Sequence, residues 1–278
     1  MRQGRPRWMS TIVDLFMGNL MSNTALITGA SSGIGAEFAR YHARKGGDLV
    51  VVARREEALQ ALKTELEAAH GVRVTVLAQD VGTPAQAAAL YDAVKAQGIQ
   101  VDILINNAGF GGHGGFLDRD LAKDQAMIDL NISALVTLSH LFGKDMKARK
   151  GGKMLQVSST AGFLPGPYQA VYYATKAFVT SFSQAIDQEL RKDGITSTAL
   201  CPGLVHTEFV ASADLAGTGL ANQKGATAAS VAKCGYDAMM KGTLIAINEP
   251  QLSFMMNWLI PVMPRRMVLK MIEKMQTK

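Results

Sequence analysis

Tyr172 and Lys176 are the two side chains best suited, by type and spacing, to move a proton. They close the stretch 158–176, SSTAGFLPGPYQAVYYATK, which reads as a strand end, a Gly/Pro loop and a helix start. Four residues apart on a helix, they share one face. A phenol titrates at about 10 when unperturbed, and a neighbouring ammonium stabilises the phenolate and draws that value down. A group tuned toward the working pH can give or take a proton in a transition state. Ser158 and Ser159 end the strand, and because strand side chains alternate only one of them can face the same site. The pattern Tyr-x-x-x-Lys is common, however, and a half-exposed tyrosine beside a solvated lysine is the simpler reading of the pair alone. The surrounding elements must decide.

Those elements alternate. TALIT (24–28), LVVVA (49–53), VRVTVLAQD (72–80), residues 101–105, KMLQVSS (153–159), ITSTALCPG (195–203) and TLIAIN (243–248) read as strands. Helical patterns lie between them, the longest at about 121–149 and 170–193. Most strands are continuously apolar, the mark of a parallel sheet covered on both faces. We expect one doubly wound α/β domain over about 24–250. Residues 1–23 read as an extension outside the fold, or as the product of an upstream start with Met21 as the natural first residue. Residues 251–278 read as an apolar, basic helical tail.

The net charge of +6 belongs to the ends. Residues 1–23 hold Arg2, Arg5 and Arg7 against Asp14; residues 262–278 hold Arg265, Arg266, Lys270, Lys274 and Lys278 against Glu273, and the chain between sums to zero. A nucleic-acid face would need a basic stripe on the domain itself, so no nucleic-acid partner is expected. No run of about 18 apolar residues suggests a spanning helix. Cys201 and Cys234 form no C-x-x-C, and the five histidines show no ligand spacing. This argues for a reducing, cytoplasmic setting and against a metal.

Gly29-x-x-x-Gly33-x-Gly35 lies between the first strand and the first helix. Glycines let the backbone turn tightly and approach a phosphate, and a helix N-terminus offers it unpaired N–H groups. The spacing differs from G-x-G-x-x-G, so position in the α/β series carries the inference. The second strand ends in Ala53-Arg54-Arg55 with no acid. NAD sites place a carboxylate there for the ribose 2′-hydroxyl, whereas NADP sites place an arginine near the 2′-phosphate. NADP(H) is therefore expected over NAD(H).

With TGASSGIG, Asp80-Val81, NNAG (106–109), Asn131, the stretch 158–176 and Pro202-Gly203 in this order, residues 24–250 resemble the short-chain dehydrogenase/reductase family. The resemblance points to a bacterial, NADP-dependent branch with a basic, apolar C-terminal tail. It implies a Rossmann-type sheet of about seven strands and a catalytic set of Asn131, Ser159, Tyr172 and Lys176. The family's Ser-to-Tyr spacing of thirteen selects Ser159 over Ser158, and its Tyr-x-x-x-Lys selects Tyr172 over Tyr173. The implied cofactor site comprises Gly29, Ser31, Ser32, Gly33, Ile34 and Gly35 of the turn, with Arg54 and Arg55. Asp80 and Val81 lie at the adenine, and Asn107, Ala108 and Gly109 line the cofactor. Pro202, Gly203, Val205 and Thr207 lie at the nicotinamide end, and Tyr172 and Lys176 also touch the cofactor. Asn131 would hold a water of the proton relay. The implied reaction is carbonyl–alcohol interconversion by hydride transfer. A non-catalytic NADP(H)-binding module is the alternative, but its expected mark, loss of the Ser, Tyr or Lys, is missing. The family's habit of pairing long helices between subunits implies a homo-oligomer, dimer or tetramer.

Substrate identity is the least legible part. The loop FGGHGGF (110–116) borders the expected pocket, with His113 read as a solvent-exposed loop histidine and Tyr168 as either a pocket edge or an ordinary loop aromatic. Segment 204–222 is an expected lid, rich in small and apolar residues and without an arginine to clamp a carboxylate. An apolar ketone or a 3-oxoacyl-type substrate fits. Three readings of the Met-rich tail stand: packing on the domain or a partner subunit, capping a hydrophobic pocket, or resting on an anionic membrane surface.

Overall fold

The apolar runs assemble into a single parallel sheet. In this computed structural model, which describes residues 23–277, the strands are β1 (Thr24–Thr28), β2 (Asp48–Ala53), β3 (Val74–Ala78), β4 (Ile103–Asn106), β5 (Gly152–Val157), β6 (Ile195–Leu200) and β7 (Ile245–Ala246). Their order is β3-β2-β1-β4-β5-β6-β7, with every neighbouring pair parallel. The order reverses between β1 and β4, and a crevice opens there at the carboxyl ends of the strands, where open α/β sheets bind ligands. The doubly wound architecture expected from the sequence is the one observed. The expected extension 1–23 lies, but for Asn23, outside the described residues.

Side-chain alternation along the strands divides the core. Ala25 and Ile27 of β1 and Val51 of β2 face one side, under α1 (Gly33–Ala43), α2 (Glu56–His70) and α8 (Ala228–Lys241). Leu26, Val50 and Val52 face the other, under α3 (Pro84–Ala96), α5 (Leu135–Ala148) and α6 (Ala170–Leu190). Thr83 caps α3 by accepting from Gln86 N, with Pro84 opening the helix, and Thr227 caps α8 through Ser230 N.

The long helical run is less regular than its sequence suggests. α4 (Leu121–Ile128) passes through a π-helical turn, Asp129–Ala134, into α5. The whole of Leu121–Ala148 is long and apolar enough, by length and composition, to cross a membrane. Its Leu138, Phe142 and Met146 are instead buried against the sheet, as in a core helix.

The chain then crosses the mouth of the crevice. α7 (Glu208–Ser212) forms part of the lid, and after β7 come α9 (Pro250–Phe254), a π turn (Met255–Leu259), a 3₁₀ turn (Ile260–Val262) and α10 (Arg265–Gln276). Val268 and Ile272 of α10 are buried in a third cluster with Met127, Ala161, Tyr172 and Tyr173. The C-terminal segment thus packs on its own domain.

The β1–α1 turn is packed without slack. A Cβ on Gly35 would collide with the Gly29 carbonyl and with Asn107 Nδ2, which itself donates to Thr28 O at 2.9 Å and Gly29 O at 3.2 Å. We expect Gly35→Ala to cost about 1–3 kcal/mol as an overpacked site. Thermal unfolding should report it as a melting point several degrees lower, roughly 2–4 °C per kcal/mol; an unchanged melting point would mean the turn can move aside.

Candidate active site

A cavity of about 1110 Å³ lies over the carboxyl ends of the strands. The βα turn lines one end. Gly29 and Gly33 have φ of +68° and +55°, the left-handed region that favours glycine. Ser32 caps α1 without a side-chain bond to the helix, so the first-turn N–H groups receive no cap from it. Thr28 Oγ1 accepts from both Asn107 N and Ala108 N at 3.0 Å, locking the end of β4 to β1.

Of the expected cofactor set, Gly29, Ser31, Ser32, Gly33, Ile34, Arg54, Arg55, Asp80, Val81, Asn107, Ala108, Gly109, Pro202, Gly203, Val205 and Thr207 all line the cavity. Gly35 is buried behind the turn and serves its packing. Arg54 is exposed at the rim. Arg55 is already engaged: its Nη2 lies 2.9 Å from Glu208 Oε2, and Ser32 Oγ donates to the same oxygen at 2.9 Å. These bonds hold the Glu208 carboxyl below its usual range. Glu208 was not among the expected residues. It is 153 positions from Arg55, so no local pattern marks it.

The β5–α6 junction forms the wall beyond. Ser159 lines the cavity; its Oγ accepts from Ala161 N at 3.1 Å and donates to Pro202 O at 3.4 Å, on the same wall as Tyr172. Ser158 also borders the cavity, but its Oγ is turned into the protein, donating to Lys176 O at 2.9 Å with Thr180 Oγ1 2.7 Å away. The alternation expected at the strand end therefore separates the two serines. Tyr172, Tyr173 and Lys176 are all buried and all line the cavity. Lys176 Nζ donates to Val157 O at 2.8 Å and lies 5.8 Å from the Tyr172 ring centroid.

The electrostatics differ from the expectation of a phenol drawn down by its lysine. Burial pushes the Tyr172 phenol well above its ordinary value, against the opposing bond from Ser159. Burial also lowers Lys176 to about 8. A low-dielectric surrounding disfavours both phenolate and ammonium, and here it dominates.

Asn131 does not line the cavity. It is buried on the π turn, donating to Phe110 O at 2.9 Å and Thr175 Oγ1 at 3.1 Å and accepting from Phe110 N at 3.1 Å. A Cβ on Gly109 would come within 2.9 Å of Asn131 Oδ1 and 3.6 Å of Lys176 Nζ, so the glycine lets these groups meet. π turns are rare and recur at functional sites.

The far wall is apolar. Phe110, Leu164, Phe209, Leu215 and Leu220 line it with Leu252, Met255, Met256, Met271, Ile272 and Met275 of the C-terminal segment. Gln276 pins that segment. Its Nε2 donates to the Tyr173 hydroxyl at 3.0 Å, its Oε1 accepts from Gln169 Nε2 at 2.8 Å, and its carbonyl bonds His113 Nε2 at 2.7 Å. His113 is thus half-buried and holds the tail, contrary to the solvent-exposed reading. Tyr168, at φ +62°, stacks on His113 and borders a separate cavity of about 20 Å³. Among the described residues no group of three or more His, Cys, Asp or Glu side chains could hold a metal ion.

Similarity to known proteins places the chain in a family. Residues 23–216 match the family model described as short chain dehydrogenase. Oxidoreductase UcpA of Escherichia coli K12 is 36% identical over 197 residues, 70% of this chain and 74% of that protein. Rat 17-beta-hydroxysteroid dehydrogenase type 3 is 35% identical over 194 residues, 67% of this chain and 61% of that protein. Among solved structures, a short-chain dehydrogenase from Sphingobium yanoikuyae in complex with NADPH superposes with a TM-score of 0.78 at 32% identity, covering 86% of this chain and 92% of that one. The chain belongs to the short-chain dehydrogenase family of oxidoreductases.

The buried ammonium has a measurable consequence. Unfolded Lys176 would titrate at about 10.4, but folded it titrates at about 8. The folded state binds fewer protons between these values, so stability rises with pH across that window. Below pH 8 the charge costs on the order of 3 kcal/mol. Lys176→Met should therefore raise the melting point at pH 7, with the gain shrinking as pH climbs from 8 toward 10. A lower melting point for the variant at pH 7 would contradict this account.

Proposed function

We propose that this protein is an NADP(H)-dependent carbonyl reductase acting on an apolar ketone or 3-oxoacyl-type substrate. The observation that carries the proposal is the meeting of Ser159, Tyr172 and Lys176 on one wall of a cavity whose other end is a glycine turn at a helix N-terminus. The turn, Asp80, Val81, Asn107, Ala108, Gly109 and the segment from Pro202 to Thr207 would hold the nucleotide. When bound, the reduced nicotinamide supplies the hydride.

The chain's own residues would do the rest. Ser159 Oγ donates to the substrate carbonyl oxygen and orients it. Tyr172, kept protonated by burial, gives its proton to that oxygen as alkoxide charge develops. Lys176, cationic below about pH 8, stabilises the phenolate left behind. Asn131 would serve the proton relay through its main chain, since its side-chain amide is committed to Phe110 and Thr175.

The NADP(H) preference rests on Arg54. Arg55 is paired with Glu208, while Arg54 stands at the rim beside a strand end that has no acid of its own. A charge-assisted bond to the 2′-phosphate fits it. The NADPH complex of the Sphingobium relative supports this reading. Substrate class is supported by the apolar far wall and by the arginines, since those lining the cavity, Arg54 and Arg55, belong to the nucleotide end. A further structural relative, the bulky-bulky ketone specific alcohol dehydrogenase of Comamonas testosteroni, superposes with a TM-score of 0.72 at 26% identity, covering 87% of this chain and 95% of that one. The exposed Leu121 and Ile128 on α4 and Phe178 on α6 suit helix pairing in a homo-oligomer.

A panel of ketones, aldehydes and 3-oxoacyl thioesters, assayed by NADPH oxidation, tests the reaction. Tyr172→Phe should lower kcat by roughly 10²–10⁴-fold with NADPH binding retained; near-normal turnover would remove Tyr172 as the acid. Arg54→Asp should shift the NADPH-to-NADH ratio of kcat/KM by roughly 10–100-fold toward NADH, the worth of one charged hydrogen bond. An unchanged ratio would place the 2′-phosphate elsewhere.

A further inference from the structure

The C-terminal segment has two faces, and only the inner one is accounted for by the cavity. Met255 and Met256 line the pocket, and Met256 and Ile260 are buried. On the outer side Phe254 is 63% exposed, Trp258 71% and Val262 78%, with Met267 at 59% shortly after. Phe254, Trp258 and Val262 recur every four residues along the α, π and 3₁₀ turns of this run, and all three are exposed. Clustered exposed apolar side chains of this size mark an interaction surface.

α10 repeats the division. Val268, Ile272 and Gln276 form a buried stripe. Arg266, Lys270 and Lys274, also four apart but offset by two residues, form an exposed row on the opposite face. Neither they nor Arg265 enter an ion pair among the described residues. Glu273 is the sole acid in residues 254–277. One continuous segment therefore carries bulky exposed apolar side chains followed by a row of exposed cations.

We propose that this face docks on an anionic lipid bilayer. Phe254, Trp258 and Val262 enter the boundary between headgroups and acyl chains, where an indole suits both its apolar body and its N–H. The row of Arg266, Lys270 and Lys274 lies on the headgroups, each cation favouring an anionic surface by about fivefold in partition. Charge decides against two other occupants, a second copy and the chain's own N-terminal residues. A two-fold contact with a second copy would bring identical cationic rows together. Residues 1–22, with Arg2, Arg5 and Arg7 against Asp14, are themselves basic and no complement to the row.

The docking stands apart from the proposed reaction. Its consequence depends on that reaction: the cavity wall of Met255 and Met256 would lie toward the bilayer, and an apolar ketone would reach the pocket from the lipid.

Co-sedimentation of the full chain with vesicles tests the docking. Wild type should pellet with phosphatidylcholine–phosphatidylserine vesicles and stay in solution with phosphatidylcholine alone. Arg266→Gln/Lys270→Gln/Lys274→Gln should lower partition roughly a hundredfold, and Trp258→Glu/Val262→Glu should abolish it. Melting points and NADPH titrations verify that the variants are folded. Failure of wild type to pellet with the anionic vesicles, or undiminished pelleting of Trp258→Glu/Val262→Glu, overturns the proposal. So does self-association in sedimentation velocity that this double variant removes, which assigns the face to a second copy. Absence of ketone reduction in the earlier panel, with vesicle binding intact, would defeat the proposed reaction and leave the docking in place.

Discussion

Lys176 keeps its ammonium inside the protein on a single main-chain acceptor, the Val157 carbonyl at 2.8 Å, and the neighbouring structure is arranged around that charge. A buried cation is costly unless its partners are fixed in place. Val157 is fixed because β5 lies inside the sheet between β4 and β6, with Val157 in register with Leu200 of β6. The first turns of α6 are fixed because Ser158 donates to the Lys176 carbonyl and Thr180 closes the same corner. Ser159, next in sequence, is thereby turned to the opposite side, toward Tyr172. The same burial that lowers Lys176 raises Tyr172. It leaves a protonated phenol beside a cation that is destabilised until negative charge forms near it. Such a site stores its cost in the resting protein and recovers it when an anion appears.

The lid and the C-terminal segment close this site from the side the sheet leaves open. Glu208 ties α7 to the β1–α1 turn and the end of β2 through Ser32 and Arg55. Leu220 N donates to Met275 O at 2.9 Å, and Gln276 ties α10 to Tyr173, Gln169 and His113. Substrate would thus meet a wall built from four separate parts of the chain, with thioether side chains that adapt to irregular shapes. The outer surface of the same segment carries the exposed row of Arg266, Lys270 and Lys274.

Much of this was legible in the sequence. Continuous apolar runs separated by helical periods specify a parallel sheet covered on both faces, and the sheet has the seven strands expected. The glycine turn, Asn107, Ser159, Tyr172 and Lys176 each sit at a strand end or the first turns of a helix, where local pattern is strongest. The expectation that Lys176 would draw Tyr172 down failed because spacing reports proximity and says nothing of dielectric. His113 was misread for a related reason: its partner, the Gln276 carbonyl, lies 163 positions away. The π turn under Asn131 had no signature in an otherwise continuous helical pattern.

The sequence by itself determined the elements, their order and the short-range constellation at the start of α6, because periodicity and turn chemistry act over a few residues. Tertiary structure alone decided which distant groups meet: Glu208 with Arg55 at the exposed rim, Gln276 with Tyr173 in the interior, and the tail's methionines with Tyr172 around one cavity. It also decided that Tyr172 is held protonated and Lys176 strained, because a pKa is set by everything packed around a group, and that packing exists only after the chain has folded.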